Sequence, residues 1–564
     1  MEGNLPSGSS PSKGSASVGR VVGVYGRNMV RISIKEEALP LVAKPGVYVK
    51  VRSVSGTTLY GVVVSFNLVD ELYKASRVLE LVEGYEEFRP ARNELVVNLV
   101  GYEKDGAILR GIPELPKPGE RVYVVSAEEL KEIFKGGSVS IGNLSQDPEI
   151  EVKLDLNMLC SRHLAILAMT GAGKSNCLAV ILSEIASKYP GARIVLFDTH
   201  NEYITLAKSK TYPVYVYSPL EKMSRLIEQQ FNVKVFELEV PLWTMTIDEL
   251  YSLLKLDAKA TKQKMYLRQV VRDVKRSVWS EAGVNDPIHY RVEHLVKNIT
   301  NLRAQRRDSS LDDLLVKVEE LSENEELKFV TDPKFLEDVF QRRVSEKLGE
   351  GKSQRVAEHE ASLEVYSMLA RELLKSGVNV IALGGLSSET QDAVVATLLR
   401  ALWRFVVELR FQGRVASVLI AVEEAHVYAH RSRWSSSKYV LERIAREGRK
   451  FGVGLIVVSQ RPRELSDALL AQCGNLIALR TVNPEDQKHI LESMEEVSYE
   501  IIQGLPGLRI GEALISGPAI TFPAIVQVHS YPERFGAELG GKDVNFEEQW
   551  STKEFEKASS PVSS

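Results

Sequence analysis

Three cysteines in 564 residues are too few to staple a chain of this length, and Cys160, Cys177 and Cys473 lack the spacing of metal ligands. The sequence therefore reads as a chain of a reducing, cytoplasmic compartment without disulfides. No apolar run reaches the roughly 18 residues that a membrane span requires, and the N-terminus has no apolar signal core. No membrane partner is expected. Neither sign of charge dominates: 71 Lys and Arg face 75 Asp and Glu, a net charge of −4. A surface for a polyanion must then be local, or arise by repetition in an assembly. The remaining composition, 44% hydrophobic and 26% charged, is that of an ordinary globular protein of two to four domains.

What the chain does have is a phosphate cradle in its proper setting. Ala168-Met-Thr-Gly-Ala-Gly-Lys-Ser175 lies between the apolar run His163–Ala168, read as a buried strand, and Asn176–Ala186, read as a helix. Glycines let backbone N–H groups turn inward around an anion, and the new helix adds its positive dipole end. Thr170, Gly171, Ala172, Gly173, Lys174, Ser175 and Asn176 are the nucleotide-binding candidates. Lys174 would reach the β- and γ-phosphates of ATP, and the Ser175 hydroxyl would ligate Mg²⁺. Ala168 stands where a glycine is usual, a mild departure if its φ is negative. Arg162, just before the strand, is a further candidate for phosphate contact.

About 250 residues later, Ser417-Val-Leu-Ile-Ala-Val422 reads as a buried strand ending in Glu423-Glu424. Carboxylates at the C-terminal end of such a strand face the crevice where α/β sheets bind ligands. Glu423 is assigned to Mg²⁺ through water and Glu424 to the attacking water, as catalytic base. Adjacent side chains on a strand point opposite ways, so both can serve only if the chain bends there. The competing reading is two solvated strand-end acids. Gln460, after the strand Val453–Ser459, is placed to contact the γ-phosphate and report hydrolysis, or else to brace its loop. Arg443, Arg446, Arg449 and Lys450 lie on and beyond one helix, expected over about 437–447 and stopping near Gly448. Ring ATPases complete their sites with an arginine from the next subunit, and Arg449 is chosen because it would project from a loop.

The rest of the chain divides by composition. Residues 1–17 are Ser/Gly-rich and read as a disordered tail. Residues 18–130 read as short strands separated by glycines and charged turns, a small β-barrel. Residues 131–250 and 377–535 alternate strand and helix and form the two parts of an ATPase core. Between them, 251–376 is a charged helical insertion, entered through the capping-box pattern Thr246-Ile-Asp-Glu249. Lys259, Lys262, Lys264, Arg268, Arg272, Lys275 and Arg276 make a basic face there, either solvated surface or a contact for DNA or a partner. Asp198, ending the strand Arg193–Asp198, either assists the metal or a subunit contact or stabilises its own loop. Residues 536–564 form a polar extension.

Taken together with the P-loop, Phe197-Asp-Thr-His-Asn-Glu-Tyr203, Val422-Glu-Glu-Ala-His426, Arg446-Glu-Gly-Arg-Lys-Phe-Gly452, Val458-Ser-Gln-Arg-Pro462 and Leu505–Ala513 resemble the archaeal HerA translocases, relatives of the FtsK-type DNA pumps. The resemblance covers about residues 18–535. It implies an α/β fold with a RecA-like P-loop ATPase core, an N-terminal small barrel like the HAS barrel, and the inserted helical bundle. It also implies a homohexamer that hydrolyses ATP and moves along double-stranded DNA in double-strand break end resection. A NurA-type nuclease and the Mre11–Rad50 machinery are the implied partners. By carry-over, Lys174 and Ser175 bind ATP and Mg²⁺, Glu424 activates water and Arg449 completes the neighbour's site. Asn201 departs from the glycine often found there. Two other classes use such a core: a conjugation or secretion motor, against which the missing membrane span argues, and an ATP-binding switch or clamp without sustained turnover, against which Glu424 and Arg449 argue.

Overall fold

The computed structural model describes residues 17–26, 28–70, 91–256, 259–493 and 499–540. The expected N-terminal tail and most of the C-terminal extension lie outside them. The chain forms two compact units, each assembled from separated stretches.

The first unit comprises Met1–Lys174, Gln460–Arg463 and Leu470–His529. Its N-terminal part is a closed barrel. Around the ring, Met29–Ile34 neighbours Gly19–Tyr25, then Arg121–Val124, Tyr48–Arg52, Thr58–Asp70 and Ala91–Lys104, which pairs back onto Met29–Ile34. Ala107–Arg110 adds a hairpin strand outside the ring. Alternating side chains point inward, so Val21, Ile32, Val49, Val51, Leu59, Leu95 and Val97 fill the interior. Below the barrel, Leu164–Leu167 pairs parallel with Asn475–Leu479. Antiparallel partners follow: Glu512–Ser516, Ala524–Val528, Val139–Leu144 and Asp147–Leu154. The barrel is seated on this sheet by Phe522, which packs against the Tyr48 and Tyr60 rings. The Tyr48 hydroxyl donates to the Pro523 carbonyl at 2.6 Å. A Cβ on Gly101 would lie 2.2 Å from the Phe522 ring, so only glycine admits that seat.

The second unit comprises Ser175–Ser459, Glu464–Leu469 and Ser530–Ser564. Its strands are all parallel, in the spatial order Val235–Glu237, Val214–Ser218, Gly377–Ala382, Arg193–Asp198, Val418–Val422 and Val453–Ser459. Strands Gly377–Ala382, Val418–Val422 and Val453–Ser459 are buried throughout, which matches their continuous apolar sequence. Only helices and turns occupy the described residues between Val235–Glu237 and Gly377–Ala382. The capping box forms as expected: Glu249 accepts the Thr246 amide at 2.7 Å. The same buried carboxylate also takes the Arg400 guanidinium, at 2.5 and 2.6 Å, and the Thr397 hydroxyl at 3.0 Å.

The proposed basic face needs one correction. On the helix Thr261–Val278, Lys262, Arg268, Arg272 and Arg276 are exposed, but Lys275 is fully buried. Its Nζ donates to the carbonyls of Val284 and Asp286 at 3.0 and 2.7 Å. The position falls on the stripe shared with Leu267, Val271 and Val274, so helical periodicity turns it inward.

Candidate functional site

In the first unit the P-loop is a backbone structure. Strand Leu164–Leu167 is wholly buried. Beyond it, the Met169 amide donates to Arg480 O at 3.1 Å and the Gly511 amide donates to Ala172 O at 3.1 Å, so neighbouring segments clamp the loop at both ends. Gly171 and Gly173 have φ of +77° and +101°, a region L side chains rarely enter. Ala168 is not among the left-handed residues, so an alanine there costs nothing in backbone conformation. Lys174 is buried and opens the helix Lys174–Lys188. The Thr170 hydroxyl donates to Gln460 Oε1 at 2.6 Å, so the strand-end glutamine lies on the loop itself. Arg162 is exposed at the end of the helix Leu156–Arg162, and its carbonyl accepts the Gly474 amide at 2.7 Å.

In the second unit the Ser175 hydroxyl donates to Glu202 Oε2 at 2.6 Å. Asn176 turns its side chain elsewhere: its Oδ1 accepts the Tyr531 amide at 2.8 Å. Strands Arg193–Asp198 and Val418–Val422 pair side by side, which brings Asp198 and Glu423 to the same sheet edge. Asp198 is fully buried and accepts the amides of Glu202 and Tyr203 at 2.9 and 2.8 Å. Burial pushes its carboxyl up, against the pull of those amides. Of the alternatives for this residue, the geometry favours loop stabilisation. Glu423 is fully buried, and its Oε2 accepts the Thr199 amide at 3.1 Å.

Glu424 has φ +47° and ψ +45°, the bend that two adjacent acids require in order to share one end of a strand. A left-handed non-glycine residue costs on the order of 1–3 kcal/mol and is kept where the surroundings over-determine it. Its Oε2 lies 3.2 Å from His426 Nδ1, which is 3.1 Å from the Ser459 hydroxyl. Asn201 is also left-handed, at φ +62°, and its Oδ1 accepts the Gly384 amide at 3.0 Å. Asparagine tolerates that conformation better than other side chains, so it fills a glycine-type position and adds a hydrogen bond.

Arg449 is exposed, but it does not project from a loop. The helix Ser436–Phe451 runs through Gly448 and ends at Gly452, whose φ of +79° makes the left-handed cap. Gly448 serves packing instead: a Cβ there would lie 2.8 Å from Val453 O. Arg449 therefore stands on the last turn of the helix. The sequence reading passed over Glu202 and His426, although both lie in motifs it singled out. The available signal for Glu202 was a carboxylate in the loop that follows an apolar strand, Arg193–Asp198.

The residues present fit a nucleotide with its cation. The loop offers a glycine cradle at a helix start, and Ser175 offers a hydroxyl beside the Glu202 carboxylate. Among the described residues no group of three or more His, Cys, Asp or Glu could hold a metal alone.

Two family models match the chain: "Helicase HerA, central domain" over residues 139–402 and "Helicase HerA-like C-terminal" over residues 414–531. A probable helicase of Methanocaldococcus jannaschii is 33% identical over 456 residues, 79% of this chain and 77% of the relative. The DNA double-strand break repair helicase HerA of Sulfurisphaera tokodaii is 34% identical, covering 78% of each chain. That of Saccharolobus solfataricus is 29% identical over 92% of this chain and 94% of the relative.

Proposed function

The chain belongs to the HerA helicase family, and from that premise we propose an ATP-driven translocase of double-stranded DNA that works as a homohexamer in the cytoplasm. Beside it in end resection stand a NurA-type nuclease and the Mre11–Rad50 machinery. The observation that carries the reading is Glu424, a buried carboxylate held at a left-handed bend on the strand end. It is a base fixed in place, which an ATP-binding clamp has no need of.

In this mechanism Lys174 and the loop amides bind the β- and γ-phosphates. Ser175 and Glu423 would hold Mg²⁺, which would neutralise charge on the phosphates. Glu424 accepts the proton of the attacking water, and His426, 3.2 Å away, steadies that carboxylate. Gln460, bonded to Thr170, carries the state of the phosphates to the loop Arg461–Arg463. Arg449 enters the neighbouring subunit's site. The DNA side of the reading is supported by the loop 431–434: Arg431, Arg433 and Trp434 are exposed, and the Trp434 side chain is 65% accessible. Lys438 Nζ, donating to His430 O at 2.8 Å, keeps this loop in place. Guanidinium groups suit phosphates, and an exposed indole suits the sugars of the duplex backbone.

ATP hydrolysis measured with and without linear duplex DNA tests the reading. Strong stimulation is expected. Turnover indifferent to DNA overturns the motor, and co-purification with a NurA-type nuclease tests the partnership separately.

A further inference from the structure

The loop that follows strand Arg193–Asp198 delivers one carboxylate to the P-loop serine. Glu202 Oε2 accepts the Ser175 hydroxyl proton at 2.6 Å. The backbone of Glu202 is pinned on both sides: its amide donates to Asp198 Oδ1 at 2.9 Å, and its carbonyl accepts the Gly540 amide at 3.1 Å. The left-handed turn at Asn201, tied to the Gly384 amide, sets the direction from which the carboxylate arrives.

A serine hydroxyl has one proton and two lone pairs. If the O–H is engaged as a hydrogen-bond donor to a carboxylate, both lone pairs are left for other partners and the oxygen becomes a better electron-pair donor to a cation. Carboxylates that orient ligands in this way from outside the coordination sphere are a general device of metal sites. We propose that Glu202 is a positioning residue for Mg²⁺: it accepts the hydrogen bond of the Ser175 hydroxyl and thereby turns the oxygen's lone pairs toward the ion, while adding negative charge on the far side. The proposal rests on the reading of Ser175 as a ligand of nucleotide-bound Mg²⁺. It assigns Glu202 no contact with the phosphates and no part in proton transfer.

The test is the Mg²⁺ dependence of nucleotide binding, followed with a fluorescent ATP analogue on the full chain and with no turnover in the readout. Glu202→Ala should raise the Mg²⁺ midpoint by about 10- to 100-fold. Affinity for the analogue without Mg²⁺ should stay within about twofold of the parent, because Lys174 and the loop amides are untouched. Glu202→Gln keeps an acceptor for the hydroxyl but loses the charge, so its midpoint should fall between the two, and it guards against a fold defect in the alanine variant. Parent-like midpoints in both variants overturn the proposal. So does loss of metal-free binding in both, which would make Glu202 a brace for the loop. Ser175→Ala separates the two layers. If it leaves the Mg²⁺ midpoint unchanged, the reading of Ser175 fails and the proposal falls with it. If it shifts the midpoint and neither Glu202 variant does, only the proposal falls.

Discussion

Glu424 shows how much a single backbone angle can decide. On a straight strand it would point away from Glu423; at φ +47° the chain turns there instead. Glu424→Gln should bind ATP as the parent does and hydrolyse it at least about 100-fold more slowly, the loss expected of a general base. A single-turnover assay beside a binding titration checks both halves. The need for a bend was readable from the adjacent acids, because side-chain alternation forbids the straight alternative. Asn201 was less legible: the sequence shows an asparagine where a glycine is usual, but only the fold shows its Oδ1 on Gly384. Lys275 was misread, since its charge was weighed ahead of its place on the apolar stripe with Leu267, Val271 and Val274. Its burial lowers the ammonium pKa from 10.5 to about 7, against the opposing charge of Asp286. A neutral amine has two N–H donors, matching its two carbonyl partners. The unfolded chain then binds more protons between about 7 and 10.5, so stability rises with pH across that window, by up to about 1.4 kcal/mol per unit. Urea midpoints of the parent should climb relative to Lys275→Met from neutral to alkaline pH, and parallel curves would refute this.

At the scale of elements, the P-loop, the strands flanking it and the closed barrel follow from patterns that are local in the chain. Buried strands announce themselves as apolar runs, and barrel strands as alternation between turns. Strand order does not, because it depends on which crossovers pack together. Nothing in the sequence makes Arg193–Asp198 the neighbour of Val418–Val422, yet that pairing sets Asp198 beside Glu423. The end of the helix Ser436–Phe451 was misplaced for a related reason. Two glycines lie near it, and tertiary contact with Val453 decides that Gly448 is a packing residue while Gly452 is the cap. The loop just before this helix gives a prediction of its own. Trp434→Ala combined with Arg433→Ala should weaken duplex binding by about tenfold or more and reduce its salt dependence, while ATP hydrolysis without DNA stays at the parent level. Unchanged DNA affinity in a filter or anisotropy titration would move the DNA contact elsewhere.

For the whole molecule, the question is whether one chain holds a complete site. Arg449 stands exposed on the last turn of its helix. Arg449→Ala and Lys174→Ala should each be inactive alone, and mixing them should restore part of the turnover by pairing intact half-sites. Failure of any mixture to recover would argue that the arginine acts within its own chain or not at all.

A shorter thread runs through the second unit. The P-loop helix and the loop after Arg193–Asp198 meet residues from the far end of the chain: Asn176 takes the Tyr531 amide, Glu184 pairs with Arg534 at 2.5 Å, and the Glu202 carbonyl takes the amide of Gly540. A polypeptide cut after His529 would retain every strand described here and still lose the latch on its nucleotide helix. Truncation or proteolysis on the N-terminal side of Gly540 therefore loosens the helix that opens at Lys174 and the loop that carries Glu202.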